Sequence, residues 1–322
     1  MNGTISITDL SVIFPRLDGD IVAVDHVSVT LRPDERTAII GETGSGKSIL
    51  AAAVLGLLPH GARVTGSVRY EGEELLTAPP HRLREIRRRQ IALIPQSPIE
   101  SLTPTMPVRH QLAEPLDRGI VPRRSRLLVT VDTALTAVGF PRVRGGAHRY
   151  ACRLSGGLAQ RAVVAGATVR QPRWILADEP TKGLDTVHRA QACHTLGSAH
   201  RDTGAGLILI THDLAVARAQ SDRVLVLYAG VLVEDAPTEE FFSNPAHPYS
   251  RGLLASLPER GMVPISGDPP AAGNREPGCR FAGRCSLVRP DCWPVRPALN
   301  QVAPNHGVRC VLYDHHEALR RD

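Results

Sequence analysis

Apolar and polar positions along this chain follow two periods. Near the start the pattern is strand-like: Ile5-Ser6-Ile7, Ser11 to Phe14 and Val22 to Leu31 predict short strands. Asp18-Gly19-Asp20 reads as a hairpin-like turn between two of them. Unbroken apolar runs then recur at Ala38-Ile39-Ile40, Ile91-Ala92-Leu93-Ile94, Trp174-Ile175-Leu176-Ala177 and Leu207-Ile208-Leu209-Ile210. Runs of this length predict strands buried on both faces, the habit of a parallel sheet. One further strand is expected over Arg223 to Ala229, and Val231-Leu232-Val233 follows Gly230. Helical patterns lie between them: Ile49 to Leu58, the arginine-rich Arg82 to Arg89, Arg126 to Val138, and a long helix of small residues within Cys152 to Val169. The alternation predicts an α/β fold. Prolines 98, 104, 107, 115 and 122 break up the stretch before Arg126, so roughly 97–170 reads as an inserted helical subdomain. From about Asp235 the composition shifts: Asn244 to Ser250 leads into a short helix, then a Pro/Gly-rich linker runs from Pro258 to Gly278. The chain is therefore expected to divide into residues 1–235 and a small, separate, loop-rich appendage over 236–322.

The chemistry sits at the ends of the apolar runs. Gly41-Glu42-Thr43-Gly44-Ser45-Gly46-Lys47-Ser48 follows the first run and opens the helix that starts at Ile49. Strand, glycine loop, helix is the context of a phosphate-binding loop. Its glycines let backbone N–H groups approach an anion, and the helix N-terminus adds its positive end. Lys47 would reach the β- and γ-phosphates, and the Ser48 hydroxyl would bind Mg²⁺. Gln96 stands just past the second run, where parallel sheets bind ligands. Asp178 and Glu179 end the third: Asp178 can hold Mg²⁺ and Glu179 can polarise an attacking water. His212 ends the fourth, in hydrogen-bonding reach of a γ-phosphate. Ser155-Gly156-Gly157 opens the small-residue helix, with Ser155 as N-cap and exposed N–H groups that suit a phosphate. Phe14 either stacks on an adenine ring or is a buried strand aromatic.

Composition sharpens this picture. Among 38 basic residues only Lys47 and Lys182 are lysines, so a compact ammonium has been kept at the loop in an arginine-using chain. The net charge of +6 would suit nucleic acid or an anionic membrane, but the arginines are spread out and read as a diffuse surface; no nucleic-acid partner is expected. The longest apolar runs fall short of the ~18 residues that span a bilayer. Residues 1–10 lack a basic segment followed by an apolar core, so a protein without a signal peptide, in the cytosol, is expected. Of six cysteines, Cys152 and Cys193 are isolated, whereas Cys279, Cys285, Cys292 and Cys310 crowd together near the end. In a reducing compartment such crowding points to a metal or metal–sulfur centre rather than disulfides.

Taken together these motifs resemble the nucleotide-binding subunits of ABC transporters, and the resemblance covers essentially the whole chain. Residues 41–48 match Walker A, extending to Ile49. Gln96 matches the Q-loop glutamine, a Mg²⁺ contact with Ser48 and Asp178. Leu154 to Gln160 matches the signature motif, Asp178 and Glu179 match Walker B and the catalytic glutamate, Gly183-Leu184-Asp185 matches the D-loop, and His212 the switch histidine. The implied fold is a P-loop NTPase: a RecA-like core, an antiparallel β subdomain and the inserted helices. One departure is Lys182-Gly183, where the family commonly has Ser/Thr-Ala, at a loop that crosses the dimer interface. Asn244 to Pro258 and Gly278-Cys279-Arg280-Phe281-Ala282-Gly283-Arg284-Cys285 look like the C-terminal extension of oligopeptide/dipeptide/nickel importer ATPases. In some members that cysteine set is similar to a [4Fe–4S] site; zinc is the alternative, weakened because no two of these cysteines are separated by only two residues.

The resemblance implies an ATPase, with Lys47, Glu179 and His212 catalytic, in which two nucleotide domains close head to tail around two ATP. Ser155, Gly156, Gly157 and Gln160 of one, with Asp185, would then face the Walker A of the other. It implies two permease subunits, a second ATP-binding subunit that is commonly a distinct sister, an extracytoplasmic solute-binding protein, and a peripheral place on the cytoplasmic face of the membrane. Peptides are the expected solute; nickel or a metal chelate is the alternative. A soluble ABC ATPase on nucleic acid would usually carry two nucleotide domains or a long coiled-coil insert, and neither is seen. An ATPase of iron–sulfur assembly is disfavoured by the importer-type tail.

Overall fold

The computed structural model describes residues 3–17, 19–116, 124–141, 149–270 and 277–314. Asp18 of the expected turn, Pro122, and part of the Pro/Gly-rich linker lie outside them. The chain forms two compact units: Met1–Ala78 with Thr211–Asp322, and Pro79–Ile210.

The first unit holds two sheets. An antiparallel one has Ile21–Leu31, Ile5–Phe14, Arg63–Tyr70 and Glu73–Glu74 in that order. The two short strands expected before Pro15 are one. Asp9, with φ of 49°, makes a bulge between Thr8 and Ser11 that absorbs the break in alternation and restores the inward register. The other sheet of this unit runs Asn300–Ala303, His306–Val308, Val231–Pro237, Arg223–Tyr228, Arg36–Ile40. Arg36–Ile40 and Arg223–Tyr228 are parallel, and the others pair antiparallel.

The second unit is built on three parallel strands, Gly206–Ile210, Trp174–Asp178 and Ile91–Ile94. Every residue from Trp174 to Ala177 is buried, as a run apolar on both faces requires. Its helices are Pro80–Arg89, Val108–Ala113, Arg124–Ala137, Gly156–Thr168 and Thr186–Thr203. In Pro80–Arg89 only Ile86 is buried, so the arginines occupy a wet face. No helix among the described residues is long and apolar enough to cross a membrane.

The C-terminal region is not a separate appendage. Asn300–Ala303 and His306–Val308 extend a sheet of the first unit. Phe241, Phe242, Tyr249, Leu254 and Phe281 share one apolar cluster with Ile40, Val224, Val226 and Tyr228. Asp25, on the antiparallel sheet, receives Arg280 Nη2 at 2.6 Å and also pairs with Arg296. Burial alone would raise the Asp25 carboxyl, but the two arginines outweigh it and hold it below the usual range. Glu234 is fully buried and accepts the amides of Ala246 and His247, each at 2.8 Å, and His306 Nε2 at 2.8 Å. Its desolvation is again outweighed by these donors, and its carboxyl is held below the ordinary value.

A depressed carboxylate stabilises the fold above its unfolded pKa and loses that contribution as pH falls through the folded one. Glu234→Gln should therefore cost roughly 3 kcal/mol at neutral pH. Its stability should also fall less steeply than that of the parent below about pH 4, as followed by urea unfolding across pH.

Candidate nucleotide-binding site

The glycine loop of the first unit joins Arg36–Ile40 to the helix Lys47–Val54. Two glycines are there because backbone comes too close for a side chain. A Cβ on Gly41 (φ 148°) would lie 2.1 Å from the Leu227 carbonyl oxygen, and one on Gly46 (φ 99°) 2.2 Å from that of Ala23. The loop is bonded to the same strands it touches: Gly230 N–H donates to Ser45 O at 3.0 Å, and Asp25 N–H to Gly230 O at 2.9 Å. Lys47 is buried, with Nζ donating to Gly41 O at 2.8 Å and Glu42 O at 2.9 Å. The loop therefore encircles its own ammonium, which an anion approaching the loop would meet. Ser48 is exposed on the first turn of the helix, and Thr43 and Gly44 are exposed at the tip. Ile49 is half-buried behind them. Phe14 is also half-buried and ends its strand opposite Ile21, leaving both readings of its ring open.

His212 follows directly after Thr211, whose N–H donates to Ile39 O at 3.2 Å within the same unit. The His212 side chain is exposed. Asp213 caps the next helix, accepting from Ala215 N at 3.0 Å and Val216 N at 3.1 Å, and so fixes the turn that carries the histidine.

In the second unit, Ile94 pairs with Ala177, so Gln96 and the Asp178-Glu179 pair leave the same ends of adjacent parallel strands. Glu179 has φ of 47°, a conformation that costs a non-glycine residue energy, and its N–H donates to Ile210 O at 2.9 Å. Ser155 is exposed at the N-cap of Gly156–Thr168 and accepts from Leu158 N at 3.4 Å. Gly157 lies beside the His188 ring, whose Cδ2 would be 2.7 Å from a Cβ placed there. Gln160 is 2% exposed, on the buried face of its helix. Asp185 caps Thr186–Thr203, accepting His188 N at 2.9 Å and facing His188 Nδ1 at 2.8 Å.

The four late cysteines come together. Cys279, Cys285, Cys292 and Cys310 line one small enclosed cavity with His247 and Phe281. Cys285 Sγ accepts Leu287 N–H and Cys292 Sγ accepts Arg289 N–H, each at 3.4 Å, while backbone donors at Phe281 and Leu312 serve Cys279 and Cys310. Burial pushes the Cys279 thiol up to about 11, and the other three sulfurs push the same way. Cys292 and Cys310 are buried and Cys279 and Cys285 half-buried, and each sulfur has a backbone amide donor. Among the described residues, no three His, Cys, Asp or Glu side chains are placed to hold a single metal ion.

Sequence reasoning missed Tyr249, Arg284 and Asp25, all of which touch or flank the loop. The available signal was arginine inside an apolar, cysteine-bounded stretch, Cys279 to Cys285, where a solvated charge is out of place.

Known proteins resemble this chain in sequence and fold. The ABC transporter family model matches residues 24–182, and the model for the C-terminal region of oligopeptide/dipeptide transporters matches 233–292. An oligopeptide transport ATP-binding protein, OppD, of Mycobacterium tuberculosis is 40% identical over 97% of this chain; the chain spans about half of that protein, 52%. A Brucella abortus protein designated a peptide import ATP-binding protein is 36% identical over 96% of this chain and 97% of its own length. The dimeric ATP-binding cassette MJ0796, solved with ADP and Pi, shares the fold with a TM-score of 0.65 at 24% identity, over 73% of this chain and 98% of that one.

Gly41→Ala should remove binding of a fluorescent ATP analogue while the far-UV circular dichroism is kept; unchanged affinity would contradict the backbone contact with Leu227. The chain belongs to the ATP-binding proteins of the ABC transporter family, in the branch with the oligopeptide/dipeptide transporter C-terminal region.

Proposed function

We propose that this chain binds and hydrolyses ATP to power the import of peptides through a membrane-embedded permease. The observation that carries the reading is the glycine loop around Lys47 on a chain whose peptide-import relatives match it almost end to end. Two such domains would close head to tail, each ATP lying between Lys47 of one and Ser155-Gly156-Gly157 of the other. The helix N-terminus behind Ser155 would then face the γ-phosphate. Glu179 orients the water and His212 contacts the phosphate, so catalysis is mostly positioning and charge stabilisation. Ser48, Gln96 and Asp178 are the residues that would hold Mg²⁺, which supplies charge neutralisation between the phosphates. Gln160 and Asp185 join Ser155, Gly156 and Gly157 in this reading on the side that meets the partner's nucleotide.

The second unit offers a place for the permease. A cavity of about 480 Å³ is walled by Leu93, Leu102, Leu112 and Val163 and rimmed by Arg88 and Arg170. Burial, then the charges of Arg88 and Arg89, push Arg170 down to about 10. An apolar floor with crowded cations suits a short permease helix that carries acidic residues. The second ATP-binding subunit is a sister or a copy, and an extracytoplasmic binding protein delivers the solute. The assembly sits on the cytoplasmic face.

The four cysteines hold a [4Fe–4S] cluster in this reading, with zinc as the alternative. A cluster gives each thiolate its own iron, so the sulfurs need not converge on one ion. When bound it would cross-link the segment 279–310. Anaerobically purified protein should be brown, with about four irons and broad visible absorbance; colourless protein with one zinc per chain would reverse the assignment. Glu179→Gln should keep ATP binding and lower turnover by about 100-fold or more, and membranes carrying it should fail to take up peptide. Undiminished hydrolysis would refute the role of Glu179.

A further inference from the structure

Glu42 is the junction of the glycine loop. Its carbonyl accepts Lys47 Nζ at 2.9 Å and Ser45 N–H at 3.1 Å. Its own N–H donates to Tyr249 Oη at 2.9 Å. Its carboxylate is gripped end-on by Arg284, Nη1 to Oε2 at 2.9 Å and Nη2 to Oε1 at 3.2 Å. Tyr249 and Arg284 both come from the C-terminal region, more than 200 residues away in sequence.

Arg284 is built for this single position. Its Nε donates to Ser266 O at 3.0 Å and its Nη1 also to Tyr228 Oη at 3.2 Å. The guanidinium lies 5.8 Å from the Tyr228 ring centroid and 6.0 Å from that of Phe281. Tyr228, Tyr249 and Phe281 pack on one another at 4.5 to 5.4 Å, closing an aromatic cage around it. The Arg284 side chain is 8% exposed, against 26% for Glu42. A guanidinium with these partners has one orientation to adopt, and it points at the loop.

The electrostatics explain the need. A phosphate-binding loop gathers N–H groups, a helix N-terminus and one lysine to attract polyanions. A carboxylate inside that loop works against all three. Held bidentate by a buried arginine, it is neutralised locally, and the field at the loop stays positive. We propose that Arg284 is a positioning residue for nucleotide binding: from the C-terminal region it cancels the charge of Glu42 and holds the glycine loop in its anion-binding shape. This rests on the loop being the nucleotide site, and it gives the C-terminal region a part in that site.

The experiment measures affinity of the full chain for a fluorescent ATP analogue at low and high salt. Arg284→Gln should weaken binding roughly fivefold or more at low salt. The gap should narrow at high salt, where the Debye length falls to about 3 Å at 1 M. Glu42→Gln alone should shift affinity less than Arg284→Gln does. Glu42→Gln combined with Arg284→Gln should recover most of the loss, which a merely structural arginine would not allow. Arg251→Ala, which breaks a contact to Tyr313 Oη inside the C-terminal region without touching the loop, should leave affinity unchanged. Equal affinity of parent and Arg284→Gln, or a double variant as weak as Arg284→Gln alone, overturns the inference. A parent chain that binds no analogue overturns the nucleotide reading itself, and this inference with it.

Discussion

The first unit depends on a loop of backbone with no room for side chains. Gly41 lies against the Leu227 carbonyl and Gly46 against that of Ala23, on strands from both sheets. That closeness forces glycine, and glycine alone would leave the loop floppy. Order is returned by hydrogen bonds to the same neighbours, Gly230 to Ser45 and Asp25 to Gly230, and by Lys47 folded into the ring. The phosphate cradle is thus made rigid by its surroundings, and electrostatic preorganisation of this kind is what phosphoryl transfer asks of a protein.

The C-terminal region belongs to those surroundings. It reaches the loop through Tyr249 and Arg284, the antiparallel sheet through Arg280 and Arg296 on Asp25, and the strand Val231–Pro237 through His306 on Glu234. Apart from Tyr249, each link joins a carboxylate to a basic side chain in a buried or half-buried setting. Such links stabilise little compared with apolar packing, but a missing partner leaves a costly orphan, so they enforce one arrangement. The cysteine cavity lies within this network, with Cys279 and Cys285 packed on the apolar cluster that also carries Ile40.

Much of this was legible in the sequence, for a physical reason. Strands buried on both faces must be apolar throughout, so a glutamine, an acidic pair or a histidine at their ends stands out, and the loop, Gln96, Asp178, Glu179 and His212 fall where the runs stop. What stayed hidden was long-range or one-sided. The bulge at Asp9 leaves no sequence mark stronger than a broken alternation. His306–Val308 is too short to read as a strand, and it exists because Val231–Pro237 offers it an edge. Glu234, one of two adjacent acids in Val231–Pro237, looks like a solvent-facing position until His306, 72 residues later, meets it. Gln160 read as part of a phosphate-facing motif, yet it shares its helix face with the buried Ala159, Val163 and Val164. The clustering of late prolines suggested a detached tail, because prolines limit secondary structure without limiting burial.

The account's central claim is that the triphosphate is held by the loop around Lys47. The most direct measurement is a structure of the full chain with a non-hydrolysable ATP analogue. The account predicts phosphates against the N–H groups of residues 43–48 and the Lys47 ammonium turned from the Gly41 and Glu42 carbonyls toward them. An analogue lodged elsewhere, with Lys47 still bound to those carbonyls, would contradict it.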